Sequence, residues 1–186
     1  MSPAGKPRAD AERNRAQVLA VARDMLAERG EQVQMAEVAR AAGVGVGTVY
    51  RHFPTRQALV EAVAEDRFAA ILAFGEEQAL SDTDTRQVLT SFLRRIGEVH
   101  ENERGLSGAI ESVLGSTAPQ GEVSTRLLAF GETLIKRGKA DGTLDADVTV
   151  ADLYMIVGAL ATVSRAAIGD WHRFIDIAFA GLRPRD

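Results

Sequence analysis

The segment Ala41–Phe53, AAGVGVGTVYRHF, constrains this chain more than any other part of it. It places Gly43 at the end of an Ala- and Glu-rich stretch, residues 35–42, whose Val38 and Ala39 share a face. A glycine there can take positive φ and stop a helix as its C′ residue, so the pattern predicts a short helix, a bend and a second short helix. Val44 supplies an apolar plug under the bend, and Ala39 is small where two helices must cross closely. In the second helix Val49 and Phe53 stand four apart and face inward. Val46, Gly47, Thr48, Tyr50, Arg51 and His52 are left on the outer and end faces. Two short helices around a turn, the second with a polar outer face, are the arrangement of a helix-turn-helix.

The remaining sequence reads as helices. Residues 10–29 carry Val18, Leu19, Ala22, Met25 and Leu26 on one face, follow a flexible basic arm over residues 1–9, and stop at Gly30. Pro54-Thr55 breaks the second helix of the motif and starts a fourth, expected from Arg56 to about Ala79. Ser81 and Asp84 stand at capping-box spacing before a fifth helix striped by Val88, Leu89, Phe92, Leu93, Ile96 and Val99. Leu106, Ala109, Ile110, Val113 and Leu114 mark a shorter sixth, and Val123 to Ile135 a seventh. Thr149 and Asp152 repeat the capping-box spacing ahead of Leu153 to Val163, which is apolar on nearly every side and is expected to be buried all round. Gly169-Asp170 then precedes a last helix striped by Trp171, Phe174, Ile175, Ala178, Phe179 and Leu182. No run alternates as a strand, so the expected class is all-α.

Charge is unevenly divided. Residues 1–56 hold nine Lys or Arg against six Asp or Glu, a net +3, and since the chain totals −4 the remainder carries −7. A basic part joined to an acidic body suits a protein that meets a polyanion at one end. The chain has no cysteine, so a disulfide framework and thiolate metal sites are excluded, and His52, His100 and His172 are too scattered to form a local ligand motif. There is no phosphate-binding glycine loop and no inward pair of carboxylates, so no enzyme and no cofactor is expected. The polar start is no signal peptide, and the most apolar run, Leu153 to Val163, falls short of the ~18 residues that span a bilayer. A cytoplasmic protein without membrane partners is the expectation.

Gly43-Val44, Gly47-Thr48-Val49-Tyr50 and His52-Phe53, followed by Leu59, resemble the signature of the TetR family of bacterial transcriptional regulators. The resemblance covers Glu12 to Val63. It departs at Gly45, where similar proteins usually have Ser, and at Val33-Gln34, where Thr and Ser are common. The resemblance implies an all-helical homodimer of about nine helices, with a DNA-binding domain over residues 10–55 and a ligand-binding and dimerisation domain over residues 56–186.

The implied DNA-binding residues are Gln34, Val46, Gly47, Thr48, Tyr50, Arg51, His52 and Arg56. Arg51 has the fork to bond guanine O6 and N7 together, and serves equally as a phosphate clamp. The implied partner is double-stranded DNA carrying a pseudo-palindromic operator. A small-molecule effector is expected among the middle helices, with walls Phe68, Leu72, Phe92, Ile96, Val99, Ile110, Val113 and Leu114 and polar anchors His100 and Arg104. Two apolar helices at the end of the chain imply a partner copy, with Leu153, Tyr154, Val157, Leu160, Ala161, Trp171, Phe174, Ile175, Ala178 and Phe179 as the dimer interface. The leading expectation is a repressor that the effector releases from its operator. The alternatives are an activator, or a regulator whose C-terminal part answers to a protein or to no ligand.

Overall fold

The computed structural model describes residues 6–184. Among the described residues the chain is helical, without strands, which is the expected all-α class. The order is α1 (Lys6–Arg29), a 3₁₀ turn (Gly30–Gln32), α2 (Met35–Ala41), α3 (Val46–His52), α4 (Arg56–Ser81), α5 (Thr85–Asn102), α6 (Arg104–Leu114), α7 (Gly121–Ala140), α8 (Val150–Ala166) and α9 (Trp171–Leu182). These residues fall into two compact units, one of residues 6–66 and 103–117 and one of residues 67–102 and 118–184.

In the first unit α1, α2 and α3 pack on one another. Their core is Val18, Ala22, Leu26, Val38, Ala39, Val49 and Phe53, all essentially sequestered from solvent. Burying each of the larger of these side chains contributes about 1.5–3 kcal/mol, far more than the intrinsic helix propensity of seven-residue elements supplies. The bend after α2 is closed by backbone bonds: Gly43 N–H donates to Arg40 O at 3.2 Å and Val44 N–H to Ala39 O at 3.0 Å. With Gly43 at φ 66°, this is the paired closure of a Schellman end. A Cβ on Gly43 would meet nothing within 4 Å, so backbone conformation and not space is what demands glycine there.

Two boundaries differ from expectation. Helix α1 begins at Lys6, so residues 6–9 of the expected flexible arm form its first turn, while residues 1–5 lie outside the described residues. Pro7 is no obstacle, because the first N–H groups of a helix lack intrahelical partners. Helix α6 joins the first unit instead of the C-terminal domain expected over residues 56–186, because it packs on α1 and the 3₁₀ turn. The approach is close: a Cβ on Gly105 would stand 2.4 Å from the Ala27 carbonyl oxygen. Arg23 adds a charged tie, its Nη2 donating to Glu103 Oε1 at 2.7 Å and its Nε at 3.0 Å.

In the second unit α5 is the shared element, packing against α7, α8 and α9. Val88, Leu89, Leu93, Leu134, Leu160 and Ile175 are buried there. Asp84, and not Ser81, caps α5, its Oδ1 accepting from Arg86 N–H at 2.9 Å and Gln87 N–H at 3.3 Å. Ser81 is instead the last residue of α4, its hydroxyl donating to Gln78 O. The expected box at α8 is present, with Thr149 N–H donating to Asp152 Oδ2 at 2.8 Å and Asp152 N–H to Thr149 Oγ1 at 3.3 Å. Helix α8 is not buried all round: Leu153, Ile156, Leu160 and Ser164 turn inward, while Met155, Gly158 and Ala159 are exposed. Among the described residues α5, α7 and α9 are its main packing partners, and they cover one side.

Gly43→Ala forces an L-residue into the left-handed region, and chemical denaturation should register a loss of about 1–2 kcal/mol. An unchanged unfolding midpoint would contradict the role given to this turn.

Candidate nucleic-acid interface

Helix α3 has almost no inward side. Gly45 is its extended N-cap, at φ −66° and ψ 143°, and its carbonyl accepts from Thr48 N–H at 2.8 Å and Val49 N–H at 3.3 Å. Glycine there brings no side-chain cap, as its place in the sequence implied. Val49 is the one buried residue of the helix. Val46 and Tyr50, four apart on the outer face, are 43% and 48% exposed. Gly47 and Arg51 are exposed beside them, and Thr48 and His52 are half-buried at the edges. Among the described residues Arg51 has no hydrogen-bond or ion-pair partner, so its five donors face solvent. A helix with an apolar residue, a tyrosine, a glycine and an unengaged arginine turned outward presents a recognition surface.

The supporting residues hold that surface in place. Gln34 is the exposed N-cap of α2, and its N–H donates to Glu37 Oε2 at 3.1 Å. Arg29 Nη2 reaches both Glu37 oxygens at 3.0 Å. The Arg29 guanidinium and, next to it, the Gln34 backbone N–H hold the Glu37 carboxyl below the usual carboxylate range. The Arg15 guanidinium lies over the Phe53 ring, 5.5 Å from its centroid. Arg56 is taken up by the fold: its Nη2 donates to Glu31 O at 3.0 Å and its Nε to Val33 O at 3.5 Å. It therefore ties the loop between the 3₁₀ turn and α2 to the start of α4.

The expected effector residues fall in both units. Phe68, Leu72, Phe92, Ile96, Val99 and His100 are buried in the second unit, whereas Arg104, Ile110, Val113 and Leu114 belong to the first. Ile110 is buried on α6, whose packing partners are α1 and the 3₁₀ turn, and Arg104 is exposed. A buried arginine escaped the sequence reading: Arg67, 1% exposed, donates from Nη2 to His100 Nδ1 at 2.8 Å. Its signal was present, since Val60, Val63, Arg67 and Ile71 follow the 3- and 4-residue spacing of the inward face of α4. Burial first, then the charges of Arg67 and Arg165, bring the His100 pKa down to about 3. His100 is thus neutral near pH 7 and accepts a hydrogen bond from the Arg67 guanidinium at Nδ1.

Of the expected dimer residues, Leu153, Leu160, Trp171, Ile175 and Phe179 are buried in the chain's own second unit. Trp171 lies against Gly97 of α5, where an added Cβ would stand 2.5 Å from the ring, and its Nε1 donates to Glu101 Oε2 at 3.2 Å. Tyr154, Val157, Ala161, Phe174 and Ala178 are half-buried. The apolar residues that α8 and α9 turn outward are Met155 and Ile177, 68% and 58% exposed, which a continuous apolar stripe cannot distinguish from core.

This short bihelical turn with an outward second helix matches known proteins. The family model for bacterial regulatory proteins of the tetR family matches residues 18–63, and one described as the C-terminal domain of SbtR-like transcriptional regulators matches residues 84–184. The chain belongs to the TetR family. A TetR transcription regulatory protein from Mycobacterium vanbaalenii has 38% identity over 95% of this chain and 98% of its own, with a TM-score of 0.70. A TetR transcriptional regulator from Streptomyces coelicolor has 28% identity over 92% of this chain and 99% of its own, also at 0.70. An HTH-type transcriptional regulator of Staphylococcus aureus (strain MRSA252) is 40% identical over 65 residues, and the match spans about a third of that regulator's length. The protein is a DNA-binding transcriptional regulator of the TetR family. Among its described residues no helix is long and apolar enough to cross a membrane, and no group of three His, Asp or Glu is placed to hold a metal ion.

The two arginines at α3 and α4 should separate in a stability assay. Arg56→Gln removes a charged donor from two backbone carbonyls and is expected to cost about 1–2 kcal/mol. Arg51→Gln should stay within about 0.5 kcal/mol of the wild type. Equal losses for both variants in urea titrations would contradict this division of roles.

Proposed function

We propose that this TetR-family protein is a homodimeric repressor that leaves a pseudo-palindromic operator when a small molecule binds its C-terminal unit. One observation carries the DNA-reading part. Gly47 sits inside α3, is exposed, and has open space where a Cβ would be. Glycine in a helix is less favourable than alanine by about 0.8–1 kcal/mol, and nothing in the protein uses its smallness. A side chain's absence serves a partner whose backbone must come close, and beside Tyr50 and Arg51 that partner is the sugar-phosphate wall of a major groove. Thr48, Tyr50, His52 and Gln34 supply phosphate contacts in this reading, Val46 meets a thymine methyl, and Arg51 reads guanine.

The dimer reading rests on the outward strips of α8 and α9. Met155 and Ile177 are large, apolar and exposed, and Gly158, Ala159 and Gly181 allow a second copy to approach closely. Tyr154, Val157, Ala161, Phe174 and Ala178 flank that seam. The effector reading draws on the second unit alone, where Phe68, Leu72, Phe92, Ile96 and Val99 and the neutral His100 are all buried. A ligand acts there by favouring the released state, with a coupling of about 1–3 kcal/mol. A cytoplasmic setting goes with this function.

Selection of duplexes from a randomised library tests the proposal. Wild-type protein should enrich a two-fold symmetric site with half-sites about 34–36 Å apart, and Arg51→Gln should enrich none or relax one base position in each half-site. An enriched site without symmetry would overturn the dimeric reading.

A further inference from the structure

The second unit carries a cluster of arginines that DNA reading does not use. Arg86 and Arg94 of α5, Arg173 of α9 and Arg183 just beyond its end line one depression of roughly 420 Å³. Residues 57–186 carry a net charge of −7, so four arginines converging there run against the local composition. None of the four guanidinium groups has a hydrogen-bond or ion-pair partner among the described residues. Arg86 also lies in the first turn of α5, where the helix dipole adds positive potential. The nearby Asp84 carboxylate is occupied in part by the cap, accepting from Arg86 N–H and Gln87 N–H.

Placement and shape narrow what the depression can hold. Arg86, Thr90 and Arg94 stand four apart on one strip of α5. On α9 Asp176 lies away from Ala178 and Gly181, which share a surface with Met155 and Ile156 of α8. Arg86 and Arg94 of α5 lie off the outward seam of α8 and α9 to which the dimer was assigned, and Arg173 stands at its edge, one turn before Ile177. Its volume falls within the ~300–1,000 Å³ of small-molecule sites, and the buried Ile175 and Phe179 form an apolar floor. Planar guanidinium forks match phosphate oxygens in pairs. Asp176 is the one carboxylate lining the depression; it repels a ligand that is anionic throughout and accepts from a hydroxyl.

We propose that this depression binds a phosphate-bearing, hydroxyl-bearing small molecule of nucleotide size. The arginines take the phosphates and Asp176 takes a sugar hydroxyl, with Ile175 and Phe179 beneath. The site is separate from α3 and goes beyond the repressor reading without resting on it.

Calorimetric titration of the full chain with ADP, and separately with pyrophosphate, tests this. Saturable binding of ADP with one site per protomer is expected, weakened at least about tenfold in Arg94→Gln/Arg173→Gln, whose helicity and duplex binding remain those of the wild type. Asp176→Asn should weaken ADP and leave pyrophosphate unchanged or tighter. No heat from either probe at about 1 mM would overturn the proposal. So would binding that survives the double substitution, or that falls equally in Arg126→Gln/Lys136→Gln, a control elsewhere on the unit. If the double variant loses duplex affinity while ADP fails to bind, the cluster is a nucleic-acid contact and the proposal is wrong.

Discussion

The positive φ at Gly43, locked by two backbone hydrogen bonds, is the constraint on which the reading helix depends. Helices α2 and α3 are seven residues each, too short to persist alone. They exist because Val38, Ala39, Val49 and Phe53 are pinned against one another and α1, and the turn sets the angle at which they arrive. Once Val49 is spent on packing, the rest of α3 has nowhere to go but outward. The same few residues thus make the fold and clear the surface that meets DNA.

The second unit solves a different problem, how to keep cations in an acidic helical body. Arg67 is buried yet hydrogen-bonded to a histidine whose own charge burial suppresses, so that one positive group and not two occupies the interior. The arginines of α5 and α9 sit at the surface instead, where solvent or an anion meets their charge. Trp171 on Gly97 shows how tightly α9 is bound to α5, which makes α9 part of the protomer's core before it is part of any assembly.

Much of this was legible in the residues. Gly43, Val49 and Phe53 announced the turn and its inward face through spacing alone, and Thr149 with Asp152 announced the start of α8. The family followed from the same short segment. What was not legible depended on partners distant in sequence. Arg56 looked like a free helix-end cation until the carbonyls of Glu31 and Val33 were found around it, 25 and 23 residues earlier. Helix α6 read as part of the C-terminal body because nothing local says that Gly105 touches the Ala27 carbonyl. In α8 and α9 every stripe residue is apolar, so periodicity could not tell Leu160 and Phe179, which serve the chain's own core, from Met155 and Ile177, which do not.

The central claim is that α3 keeps an open face for DNA at the expense of its own stability, and Gly47→Ala measures both sides at once. The account predicts an unfolding free energy unchanged or raised by up to about 1 kcal/mol, together with at least a tenfold loss of affinity for the selected duplex. Wild-type affinity in a stabilised variant would contradict it, because Gly47 would then be serving neither the fold nor the groove.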